Sequence, residues 1–172
     1  MNKFILVLVT IVVTAVIVAG ATWFYIKSSE VEILNSKTYT NNEYGFELTF
    51  PDSWKGYIVE RKDWEGVRID RPAIEGGPDY SGPLLVFKNP QTTAQQQYQD
   101  IPVMVFTPEV WALVKGPDAT VAVSAAPIAP AKIGENSKYI FATPPRWYGF
   151  TDAVGFQEAV EIVKTFTGLN NF

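Results

Sequence analysis

The sequence predicts an α+β protein: an N-terminal transmembrane helix followed by one antiparallel β-sheet domain flanked by helices. Three observations carry this expectation. Phe4 to Ile26 contains no charged residue and is bounded by Lys3 and Lys27. Beyond it, short runs that alternate apolar and polar residues recur between turn residues, as half-buried strands require. Near the C-terminus an amphipathic stretch has helical rather than strand spacing.

The apolar run comes first. As a helix rising ~1.5 Å per residue it spans roughly 35 Å, against a hydrocarbon core of ~30 Å. Trp23, Phe24 and Tyr25 sit at its end, where an aromatic belt belongs. Ala19-Gly20-Ala21 also fits the cleavage site of a signal peptide, with Lys3 as its basic start. The run continues past that site through Ile26, which favours an uncleaved anchor. Either way the remainder is exported. The expected organisation is an anchor at 1–27, a linker at 28–37 and an extracytoplasmic α+β domain at 38–172. The expected location is the cell membrane, single-pass, with the C-terminal domain outside the cytoplasm.

The domain then reads element by element. Phe46, Leu48 and Phe50 alternate with Glu47 and Thr49, and Pro51-Asp52-Ser53 stops this strand as a turn. Further strands are expected at 57–60, 67–71, 84–88, 101–107, 119–124 and 138–142. The uncharged polar run from Thr92 to Gln99 reads as a loop. Thr107 as N-cap and Pro108 as first helical residue open a short helix through Val114, and Gly116-Pro117 ends it. A last helix is expected over Gly155 to Thr167. Phe156, Ala159 or Val160, Val163 and Phe166 form its stripe, and Gly168 is its cap.

The segment from Tyr44 to Trp54, Tyr-Gly-Phe followed by a strand and Pro-Asp-Ser-Trp, resembles the opening of PsbP-like superfamily domains. Ile162-Val163-Lys164-Thr165-Phe166 resembles their closing helix. The resemblance implies an extracytoplasmic antiparallel sheet between helices, in the style of membrane-anchored bacterial proteins. It covers the two ends of the domain and not the middle, 101–147. It carries over no metal or photosystem role, because no binding residue of those proteins can be matched here.

Composition narrows the function. The 172 residues include no Cys and no His, and the formal charge is −4. Disulfides, thiol nucleophiles, iron–sulfur clusters, His-dependent triads and imidazole metal sites are thereby excluded. The acidic balance argues against nucleic acid as a partner. Carboxylates remain as acid–base groups. Asp63 and Glu65 flank Trp64, and Glu158 and Glu161 lie one helical turn apart. Neither pair shows the facing arrangement that glycoside hydrolysis needs. Glu161 can instead pair with Lys164 at i+3. Asp63, Glu65 and Asp70 could gather around an ion, but a Ca²⁺ loop pattern is absent. Ser-x-x-Lys and Gly-rich phosphate cradles are absent as well.

Aromatic residues are the remaining enrichment. Phe46, Phe50 and Trp54 fit a buried cluster. Pro144-Pro145-Arg146-Trp147-Tyr148-Gly149-Phe150 reads as a stiffened loop. Arg, Trp and Tyr are the groups enriched at binding hot spots, so Arg146, Trp147 and Tyr148 are the candidate binding residues. The competing reading folds Trp147 and Phe150 inward over a sheet edge. The expected function is a non-catalytic, membrane-anchored binding or accessory domain with no cofactor. Its expected partners are a membrane, through residues 4–26, and a protein or envelope component. An envelope hydrolase with paired carboxylates and a structural subunit of a membrane complex are the alternatives.

Overall fold

The computed structural model describes residues 32–34, 37–72, 77–124, 128–147 and 154–170. The chain divides into two units, Met1–Val31 and Glu32–Phe172, and all described residues belong to the second. The apolar run 4–26 therefore lies outside the described residues, as do Tyr148, Gly149 and Phe150.

In chain order the elements are β1 (Glu32–Leu34), β2 (Thr38–Asn41), β3 (Phe46–Thr49), β4 (Tyr57–Arg68), β5 (Tyr80–Lys88), β6 (Ile101–Phe106), α1 (Pro108–Lys115), β7 (Val121–Ala122), β8 (Ala131–Glu135), β9 (Ile140–Thr143), α2 (Phe156–Val163) and β10 (Thr167–Gly168). The larger sheet runs β1-β4-β5-β6-β9-β8, and β7 pairs with the far end of β4. It curls into a half-barrel. The smaller sheet runs β10-β3-β2. Every ladder is antiparallel.

This corrects the α+β expectation. Among the described residues there are ten strands and two α-helices of eight residues each, so the described part of the chain is mainly β. The transmembrane and single-pass expectations gain no support from the described residues, which do not include the run 4–26. No helix among the described residues is long and apolar enough to cross a membrane.

Two segments account for the extra sheet. The sequence suggests separate strands at 57–60 and 67–71. In fact β4 is continuous, with its ladder to β5 running unbroken from Ile58↔Lys88 to Gly66↔Tyr80. The backbone needs only a partner strand. Arg61, Lys62, Asp63 and Glu65 stand in solvent while Trp64 is buried on the opposite face from Asp63 and Glu65. At the C-terminus the helix stops at Val163 rather than Thr167. The Thr165 hydroxyl accepts from the Thr49 N–H at 2.9 Å and donates to the Ile162 carbonyl at 2.7 Å. Thr167 and Gly168 then pair with Glu47 and Phe46 of β3. Gly168 is thus a strand residue and not a helix cap. Its missing side chain matters there, since a Cβ would lie 2.1 Å from the Glu135 carbonyl oxygen.

Other local readings match. Phe46, Leu48 and Phe50 are buried and Thr49 is exposed, which is the alternation of a one-sided strand. The Thr107 side chain accepts from the Val110 N–H, and Pro108 opens α1, satisfying one of the donors that a helix start leaves unpaired. Glu161 pairs with Lys164 at 2.6 Å on the exposed side of α2.

The larger sheet buries both faces. On one, Tyr57, Val59, Leu85, Phe87, Ile101, Val103, Val105 and Phe141 meet Phe46, Leu48 and Phe50 of the small sheet, Trp54, and Ala159 and Ile162 of α2. On the other, Trp64, Met104, Phe106, Ile140 and Ala142 meet Val114 of α1 and Val121 of β7. Odd-numbered residues of β6 point to the first cluster and Met104 and Phe106 to the second, so strand periodicity alone sorts the two cores. Aromatic rings dominate the first: Phe50 stacks on Tyr57 at 4.3 Å, and Phe46 on Phe166 at 5.4 Å.

Candidate functional site

The Pro144–Trp147 segment follows β9 directly and forms a tight turn. The Trp147 N–H donates to the Pro144 carbonyl at 3.4 Å. Pro145 takes the second position of this turn, which its fixed φ favours. Arg146 takes the third with a φ of 54°. That is the left-handed region, which such turns normally give to Gly or Asn. Arg146 is the only non-glycine residue with positive φ among the described residues.

The turn is held from behind. Trp147 is half-buried and its ring packs against the first core cluster. Its carbonyl accepts from Gln99 Nε2 at 3.1 Å. Gln99 is itself buried and also donates to the Asp100 carbonyl at 2.9 Å. Asp100 accepts from the Asn89 N–H at 2.8 Å and pairs with Lys88. The Gln99 N–H donates to the Val154 carbonyl at 2.9 Å, which ties the start of α2 to the same loop. Gln99 Oε1 is buried and meets no donor among the described residues.

The three sequence-predicted residues are therefore not equivalent. Arg146 is exposed on an anchored turn. Trp147 leans into the core, the competing reading for that residue. Tyr148 lies outside the described residues.

The carboxylates do not converge. Asp63 and Glu65 are exposed on β4, and Asp70 is paired with Arg68. The Glu158 carboxylate accepts from Ser53 Oγ at 2.7 Å and from the buried Trp54 Nε1 at 3.2 Å. Among the described residues no group of three or more acidic side chains is placed to hold a metal ion. Arg61 bridges Glu43 and the Tyr44 hydroxyl, the latter at 3.2 Å. Burial pushes the Glu43 carboxyl up, but hydrogen bonds from Tyr44 and Arg61 and the Arg61 charge outweigh it and hold the group below the ordinary carboxylate range. Burial, then Glu43, pushes the Tyr44 phenol above its usual value.

The sequence reading missed a cavity of about 220 Å³ between the end of α1, β7 and the segment before β8. Val114, Val121, Val123, Ile128 and Pro130 line it, with Ile69 and Ala119, and Lys115 is the only ionisable residue in its wall among the described residues. In sequence Lys115 looks like a cation meeting the carbonyl end of its own helix. Nothing in a linear pattern brings Ile69 to Val114.

No family model matches the chain, and no curated protein or solved structure matches it either.

Proposed function

We propose that this is a non-catalytic binding or accessory domain, working outside the cytoplasm beside a membrane that residues 4–26 engage. The observation that carries the reading is Arg146. A long charged side chain occupies a glycine position at a cost on the order of 1–3 kcal/mol. The turn that presents it is closed by its own hydrogen bond and anchored through Trp147 and Gln99. Strain of this kind persists where the surroundings over-determine the backbone, and it is concentrated at functional sites. A turn ordered in advance loses little entropy on binding. The planar guanidinium fork suits a carboxylate or phosphate on a protein or envelope component. The resemblance of residues 44–54 to PsbP-like openings, and the apolar run before the domain, support the extracytoplasmic setting.

A photo-crosslinking amino acid placed at position 146 of the full chain, in native membranes, tests the surface. The reading expects discrete adducts that a crosslinker at exposed Thr40 does not give. Identical adducts from both positions, or none from position 146, would remove Arg146 as the contact.

A further inference from the structure

We infer that the cavity beside α1 is a binding site for a short aliphatic chain ending in a carboxylate, a medium-chain fatty acid. The inference uses none of the Arg146 turn and stands or falls separately from it.

Size sets the class of ligand. An apolar cavity of about 150 Å³ takes up benzene, and a water-sized group needs about 30 Å³. At about 220 Å³, there is room for a chain of roughly six to eight carbons. The walls match it. Val114 and Val121 are buried side chains of the second core cluster, and they offer no polar atom. Ile69, also in the lining, is 59% exposed, a large hydrophobic side chain that gains by being covered.

Charge sets the head group. Among the described residues Lys115 is the only ionisable one in the wall. Its ammonium donates to the Pro130 carbonyl at 3.3 Å and lies 5.6 Å from the centre of the Trp111 ring. These two contacts hold it at the edge of the cavity. An ammonium has three donors, and the carbonyl takes one. A carboxylate at the mouth can accept another while its chain fills the apolar space.

The test titrates the full chain with sodium octanoate, below the concentration at which it forms micelles, and follows binding by calorimetry. Octanol and butanoate are the comparison probes. Each buried methylene tightens binding about fourfold, so butanoate should bind about two-hundredfold more weakly than octanoate. Octanol should also bind more weakly than octanoate, and Lys115→Met should erase that difference. Ala119→Phe, at an exposed lining position, should fill the cavity and abolish octanoate binding with an unchanged melt. If that variant melts early, Ile69→Asp provides the same loss by placing a charge at the mouth. No saturable octanoate binding, undiminished binding in a well-folded Ala119→Phe or Ile69→Asp chain, or an octanoate preference that survives Lys115→Met would overturn the assignment.

Discussion

The indole N–H of Trp54 donates to Glu158 across 3.2 Å and 104 residues of sequence. It ties the turn after β3 to the first turn of α2, and the same carboxylate receives the hydroxyl of Ser53 at 2.7 Å. The ring itself is fully buried beside Phe50. Trp54→Ala should therefore cost about 3–5 kcal/mol, the usual loss for a buried aromatic. Glu158→Ala should cost about 1–3 kcal/mol by orphaning a buried donor. Glu47→Ala, on the outer side of β3, should change little. Denaturant melts of the three variants check the order, and a Trp54→Ala chain as stable as the parent would contradict it.

Gly168 brings β10 of the smaller sheet close against β8 of the larger one. A Cβ there would lie 2.1 Å from the Glu135 carbonyl oxygen, which cannot rotate away as a side chain can. Gly168→Ala should destabilise by about 1–3 kcal/mol through overpacking. Thr167→Ala, next to it and exposed, should stay within about 0.5 kcal/mol of the parent. Equal melts for the two variants would mean that β10 does not pair as described.

The Glu43–Arg61 pair gives a pH signature. Glu43 is held below its ordinary value in the folded chain. Its contribution is then present above the unfolded value of about 4.3 and is lost as pH falls through the lowered folded value. Both side chains are about half exposed, so the effect is under about 1 kcal/mol. Arg61→Ala should melt earlier than the parent at pH 7, and the two should converge as the solution is acidified. A gap that persists at low pH would assign the loss to packing instead.

Protease added to intact spheroplasts should degrade or release the domain beyond Lys37, because the proposal places it outside the cytoplasm. Protection until the membrane is breached would reverse the orientation.

Much of the fold is legible where a side-chain pattern and a backbone signal coincide. Phe46, Leu48 and Phe50 announce a one-sided strand, and Thr107-Pro108 announces a helix start. The pattern misleads where only the backbone ladder decides. Arg61 to Asp63 fall between two expected strands but lie in mid-strand, because an exposed position tolerates any charge once β5 supplies the hydrogen bonds. Residues 164–167 read as the end of the last helix, yet the Thr165 hydroxyl ends it in a turn and the close fit of Gly168 against Glu135 sets Thr167 and Gly168 in a strand. At the candidate site the sequence marks a stiff aromatic loop. It leaves Trp147 open between a contact and a lid on the core, and it does not show that Gln99, 48 residues away along the chain, holds the Trp147 carbonyl. The cavity is invisible in the sequence for the same reason: its walls come from four separate segments.

Arg146→Gly tests the central claim most directly. Glycine adopts the left-handed φ of this turn without strain, so the variant removes the guanidinium while keeping the backbone. The paired measurement is the melting temperature of the full chain and its co-purification from membranes with the species crosslinked at position 146. The account predicts an unchanged or slightly raised melting temperature together with loss of that species. A lowered melting temperature with the species retained would contradict it, and would make Arg146 a structural residue of the turn rather than a contact.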